Sequence, residues 1–342
     1  MRIDQYAFVP ARGGVVAAGG ELPHVADDWE VFALRDVVPG RPRYLRVAAH
    51  VALSPEHVVR LRVFEPVDEP GTAPERVRVP EALRPAFDRC LAELAGAPVP
   101  PRRSPWARRG WHEEAEAWAG MPLEQVRSWP LAATLRSGDV WFKATMLPLF
   151  RHEPAVTEAL GVPRVLRADH ERGWLLLEHV DGEPGADHHA ALRAIAAVHR
   201  AWTERVDEAL ALGAWDRRAP SPLEPTLVHG DFHPWNVLDS TIIDWSDAAV
   251  ASPLHDVNHY LLNVEDELRA PLIETYSHAL GHDVRGAADA YEAEAYEYVA
   301  ESYARITRAL AEDDRWWFAG EESKWLSRAA DVRAGRRPSR GS

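Results

Sequence analysis

The chain has 342 residues, 46% hydrophobic and 27% charged, with 39 Lys and Arg against 53 Asp and Glu for a net charge of −14. This is the profile of a soluble globular chain of two domains, or one domain of two lobes, and the acidic balance excludes a non-specific grip on a nucleic-acid backbone while suiting cationic or neutral ligands. Cys90 is the single cysteine, no apolar run approaches the roughly 20 residues that span a bilayer, and Met1-Arg2-Ile3-Asp4-Gln5 lacks a signal-peptide stretch, so a soluble, reducing, cytoplasmic setting without membrane or disulfide is expected.

Residues 1 to 78 alternate and break in the manner of a β-rich unit. Strands are predicted at Tyr6–Val9, Trp29–Leu34, Tyr44–Ala49 and Val58–Phe64, separated by Gly and Pro clusters. Pro80 opens a helix that runs to Leu94, with Leu83, Phe87, Leu91 and Leu94 on one face. The Pro-rich stretch 97–105 reads as a linker. A short helix Trp111–Ala119 follows, then strands Glu124–Arg127, Ala132–Arg136 and Val140–Ala144, the last two joined through Ser137-Gly138-Asp139. A helix begins at Glu153, with Pro154 in its first turn. Val162–Ala168 and Trp174–Glu178 are predicted to pair as strands. From Ala190 the pattern is helical, interrupted by short β segments between Thr226 and Asp247, and residues 334–342 read as a disordered polar tail.

Only two of the cations are lysines, Lys143 and Lys324. Lys143 stands in the apolar strand Val140-Trp141-Phe142-Lys143-Ala144, where a cation needs a partner. The densest polar cluster is His229-Gly230-Asp231-Phe232-His233-Pro234-Trp235-Asn236, followed by Val237-Leu238, Ile242-Ile243 and Asp244-Trp245. A hairpin of the two apolar pairs through Asp239-Ser240 brings Asn236 and Asp244 to one end of neighbouring strands. An amide oxygen and a carboxylate there form a hard oxygen site suited to Mg²⁺. Asp231 precedes Asn236 by five residues and faces the same place, so one carboxylate can position a nucleophile while the other groups hold a metal.

This H-G-D-x-H-x-x-N stretch, with the later D-W, resembles the aminoglycoside phosphotransferase family of small-molecule kinases. The resemblance spans roughly residues 106–330. It implies an α+β, bilobal protein-kinase-like fold, with a β-rich N-lobe at 106–180, a helical C-lobe at 181–333 and an additional β-rich cap domain at 1–100. It implies transfer of the γ-phosphate of ATP or GTP, with Mg²⁺, to the hydroxyl of a small-molecule acceptor. Carried over residue by residue, Asp231 is the catalytic carboxylate and Asn236 and Asp244 are the metal ligands. Lys143 holds the phosphates and Glu153 pairs with it, Glu158 being the weaker candidate. Leu176-Leu177-Glu178-His179-Val180 is the hinge, whose backbone at Glu178 and Val180 meets the base. His229 and Asp256 support the loop.

The chain departs from protein kinases: no G-x-G-x-x-G precedes Lys143, Gly230 replaces their arginine, and Ala-Pro-Glu is missing. A weakly catalytic, nucleotide-binding scaffold therefore stays open, as does a metal hydrolase built on His229, Asp231 and His233. The acidic helices between Glu265 and Glu322 suit an amine-bearing acceptor such as an aminoglycoside, and Trp316-Trp317 is a candidate lining of the acceptor cleft.

Overall fold

The computed structural model describes residues 1–28 and 31–336. The protein is of the α+β class and divides into two compact units, residues 1–135 with 309–317, and residues 136–308 with 318–342. Residues 337–342, most of the expected tail, lie outside the described residues.

The first unit is built on a four-stranded sheet in the order His24–Val25, Arg2–Phe8, His57–Phe64, Tyr44–Ser54. Arg2–Phe8 and His57–Phe64 run parallel, in register from Arg2 opposite His57 to Phe8 opposite Val63. Tyr44–Ser54 returns antiparallel through the turn at Pro55-Glu56, with bulges that coil the long strand. The helix Arg84–Leu94 closes one face of this sheet with Ala86, Phe87 and Cys90. Phe87 meets Phe8 edge-on at 5.4 Å. The predicted strand at 29–34 is instead a short helix, Val31–Asp36, with Trp29 and Glu30 outside the described residues. Its Leu34 is buried beside Ala7, Val9 and Phe64, and that burial overrides the β-propensity of Val31 and Phe32.

The Pro-rich stretch 97–105 lies within this unit. Ser104 donates to the Pro130 carbonyl at 2.7 Å, and Arg103 lies buried between Glu93 and Asp313. Trp316 belongs to the same unit and stacks on His50 at 3.8 Å, so its ring is spent on packing.

In the second unit the strands Val140–Thr145, Trp174–Glu178 and Val165–Asp169 pair antiparallel, with Lys143 opposite Leu175. The alternation of the strand puts Phe142 and Ala144 into the core and leaves Lys143 on the opposite face. The helix Glu153–Leu160 ends at Gly161, whose φ of +73° lets its amide turn back to the Thr157 carbonyl. The helix His188–Trp202 starts at Asp187, which accepts the Ala190 amide at 2.8 Å. It packs on Asp266–Leu280 around a core of Leu192, Ile195, Tyr260, Leu272 and Tyr276. Among the described residues no helix is long and apolar enough to cross a membrane.

Candidate active site

The loop that carries the polar cluster is held at both ends by one small sheet. The chain leaves at Val228 and returns at Ala249, and these two residues face each other in an antiparallel pair. Within the loop, Val237 pairs with Ile242 and Leu238 with Thr241. The second strand is thus Thr241–Ile242, one residue earlier than the apolar pattern predicts. Ile243 still donates its amide to the Asn236 carbonyl at 3.0 Å, which extends the ladder and sets Asn236 and Asp244 at the open end of the hairpin. The turn uses Asp239 at φ +52°, a conformation aspartate tolerates better than most residues.

Asp256 organises the other side of the loop. It lies in the first turn of the helix Leu254–Leu261 and is fully buried. Its carboxylate accepts the His229 amide at 2.7 Å, the Gly230 amide at 3.0 Å and His199 Nε2 at 3.0 Å. Burial opposes its charge, but the hydrogen bond from His199 outweighs burial and holds the carboxyl at about 2. Gly230 has φ +85°, and a Cβ there would lie 2.1 Å from the Asp247 carbonyl oxygen. Both facts require glycine where protein kinases carry arginine.

The His229 ring is committed on both nitrogens: Nδ1 accepts the Asp231 amide at 3.2 Å and Nε2 faces the Ile243 carbonyl at 2.9 Å. That leaves no lone pair for a metal. Among the described residues no group of three or more His, Cys, Asp or Glu side chains is arranged to hold one. The hydrolase alternative on His229, Asp231 and His233 is therefore not supported.

Asp231 follows, with His233 Nε2 3.3 Å from Oδ2 and His259 Nε2 3.8 Å from Oδ1. Burial raises its pKa, yet the hydrogen bond from His233 and the proximity of His259 leave it well below the usual carboxylate range. Asn236 donates from Nδ2 to the Asp231 carbonyl at 3.0 Å, so its Oδ1 is the atom free to serve as a ligand.

Lys143 is 11% exposed and lies between two carboxylates, with Nζ 2.5 Å from Glu153 Oε1 and 2.6 Å from Asp244 Oδ1. Burial disfavours its charge, but Asp244 and Glu153 together raise its pKa above the ordinary value. Glu153, 2% exposed, is pushed up to about 7 by burial in spite of Lys143. Glu158 pairs with His170 at 2.9 Å and takes no part. Asp244 adopts φ +64° and also accepts Ser246 Oγ at 2.8 Å. Asp247 is held up to about 8 by burial and by the charges of Asp231 and Asp244. The charges of Asp231 and Asp244 thus bear on Asp247 in one neighbourhood. The oxygen donors of Asn236 and Asp244 at the open end of the hairpin are of the type that suits a hard divalent cation.

At the predicted hinge, Glu178 donates its amide to the Arg164 carbonyl at 3.0 Å and His179 donates to the Asp139 carbonyl at 2.9 Å. The Glu178 side chain is exposed and pairs loosely with Arg164, while Val180 is half-buried. The acidic helices are laced with arginine: Glu292 faces Arg269, Glu301 faces Arg217 and Arg305, and Glu297 faces Arg333. Much of their charge is therefore neutralised within the protein. Sequence reasoning missed His259, Ser246 and Asp247. For His259 a signal existed, since it stands one turn after Asp256 on the same helix.

Residues 190–298 match the model of the phosphotransferase enzyme family. The match takes in the loop, its hairpin and the helix of Asp256. No curated protein matches the chain. Among solved structures, macrolide 2'-phosphotransferase MphH from Brachybacterium faecium is 16% identical, with 63% of this chain and 96% of that one covered at a TM-score of 0.47. The GDP and kanamycin complex of APH(2")-IIia is 13% identical, covering 66% and 99% at 0.47. Choline kinase LicA from Streptococcus pneumoniae is 12% identical, covering 66% and 98% at 0.43.

Proposed function

We propose that the protein transfers the γ-phosphate of ATP or GTP to a hydroxyl of a small molecule. The observation that carries this reading is the chain of contacts Glu153–Lys143–Asp244, which joins a strand lysine, a helix glutamate and the segment after the catalytic loop. Lys143 binds phosphate oxygens, and Glu153 keeps its ammonium aimed. Asn236 and Asp244 are the residues that hold Mg²⁺, whose chemistry is to neutralise charge on the phosphate oxygens. The backbone at Glu178 to Val180 meets the base.

Asp231 orients the acceptor hydroxyl. The acceptor oxygen bonds to the γ-phosphorus, the bond from that phosphorus to the bridging oxygen of the departing nucleoside diphosphate breaks, and the hydroxyl proton passes to Asp231. Its depressed pKa makes Asp231 a weak base, so it takes the proton late and acts chiefly by position. His229 and Asp256 fix the loop that presents it. The acceptor is a neutral or cationic hydroxyl compound in view of the net charge of −14, and amine-bearing acceptors are the first to screen.

The test has two arms. Mg²⁺ with ATP or GTP should raise the unfolding temperature, because a ligand of the folded state stabilises it. Asp231→Asn should keep that rise while turnover with acceptors falls by about 10²–10⁴. Nucleotide-dependent stabilisation without turnover on any hydroxylated acceptor would mean the scaffold reading, and no stabilisation at millimolar nucleotide would remove both.

A further inference from the structure

The first unit contains a cavity of about 420 Å³ that has no part in the proposed reaction and lies outside residues 190–298. Its size is that of a small-ligand pocket. Leu45, Val63, Leu94 and Val99 supply apolar wall, and Arg46 and Arg103 supply the polar end. The arginine side chains are only 9% and 7% exposed.

Guanidinium groups so enclosed need acceptors. Here both draw on one atom: Glu93 Oε2 accepts Arg46 Nη2 at 2.9 Å and Arg103 Nη1 at 2.8 Å. The further contact of Arg103 with Asp313 is long, at 3.4 Å, and Arg46 Nη2 otherwise meets Cys90 Sγ at 3.7 Å. Two planar forks of five donors each share one carboxylate oxygen, an arrangement with donor capacity left for a second carboxylate.

Arg102 lines the same cavity and has φ +64°. Glycine adopts that backbone freely and arginine does not, so the position retains a charged side chain against its backbone preference. Arg108 and Arg109 also border the cavity, Arg108 being committed to Glu114; among the described residues Glu93 is the only acid on the wall, with Asp313 and Asp314 near Arg46 and Arg103. In a chain of net charge −14 this is a local reversal of sign.

We propose that the cavity binds a small organic acid, its carboxylate on Arg46 and Arg103 with Arg102 at the mouth and its apolar body against Leu45, Val63 and Leu94. Glu93 serves as the positioning residue that holds both guanidiniums on one oxygen. The site recognises a monocarboxylate with a hydrocarbon body, and it does so whether or not the second unit transfers phosphate.

The experiment is calorimetric titration of the full chain with butyrate, octanoate and phenylbutyrate, beside octanol, phenylbutanol and octylamine as neutral and cationic counterparts. At least one acid should bind about tenfold or more tightly than its alcohol, as charge-assisted hydrogen bonds predict, and the amine should not bind. Val99, 58% exposed on the wall, can be enlarged without touching the buried charges. Val99→Trp should keep the unfolding temperature and lose at least about tenfold in affinity, by filling the space the ligand body needs. Arg102→Gly should fold and bind the acid severalfold more weakly. Equal affinity for acid and alcohol, unchanged binding in Val99→Trp, or no binding across the three acids would each overturn the proposal. None of these outcomes depends on nucleotide or on turnover.

Discussion

Asp256→Asn tests the framework of the loop more sharply than any substitution at its tip. The side chain is fully buried and accepts three hydrogen bonds, two from the backbone amides of His229 and Gly230 and one from His199. Asparagine keeps the shape but offers one acceptor oxygen, and its NH₂ must face a donor. Breaking a buried charge network by removing one partner costs about 3–5 kcal/mol. Linkage supplies a separate scale. A carboxyl held at about 2 against about 3.9 when unfolded contributes on the order of 2 kcal/mol. Because the folded value is depressed, this contribution is complete above about pH 4 and is lost as pH falls towards 2. With about 2–4 °C per kcal/mol for a unit of this size, the unfolding temperature at pH 7 should drop by on the order of 10 °C. The assay is thermal unfolding by circular dichroism, with amide exchange at His229 and Gly230. Asp187→Ala is the control, since Asp187 also accepts a backbone amide but at an exposed helix start. If Asp256→Asn lost no more stability than Asp187→Ala, and its gap from wild type did not narrow between pH 4 and 2, the bracing role would be refuted.

Gly230→Ala should be worse than an ordinary glycine substitution, because its Cβ would press on the Asp247 carbonyl at 2.1 Å; turnover should fall by about 10² or more from displacement of Asp231, and folding yield and turnover report it. Lys143→Arg keeps the charge but brings a planar fork between Glu153 and Asp244, so nucleotide turnover should drop by on the order of 10²-fold, whereas Lys324→Arg, on a pair of 3.7 Å with Glu321, should match wild type. Lys143→Met leaves Glu153, already raised to about 7, buried without its cation, so the carboxyl holds its proton and stability by urea unfolding should fall as pH rises through neutrality, and the double variant with Glu153→Gln should lose that pH dependence.

What could be read from the sequence was the part carried by local pattern. Apolar pairs around Asn236 and Asp244 announced the hairpin, and a lysine within an arginine-rich chain singled out the residue that lies between Glu153 and Asp244. Pro154 marked the start of the helix that presents Glu153. The contact of Lys143 with Asp244 joins residues 101 positions apart, and no local signal encodes such a pairing. The charged helices show the same limit from the other side. Composition reported acid between Glu265 and Glu322, but part of the arginine that answers it comes from outside that segment, from Arg217 and Arg333. Trp316 looked like cleft lining because it is aromatic and lies near acid in sequence, whereas the chain returns at residues 309–317 to the first unit and stacks it on His50. Hydrophobicity decides that a side chain is buried and leaves open what buries it. The positions where local preference is violated point further. Asp244 takes left-handed backbone at the loop, as does Gly230, where a carbonyl also leaves no room for a Cβ. Arg102 takes the same conformation beside an enclosed pair of guanidiniums in the first unit, with glycine the cheaper residue there. A strained charged residue on the wall of a cavity is the kind of exception that packing alone does not require, and it is the reason to look for a ligand there.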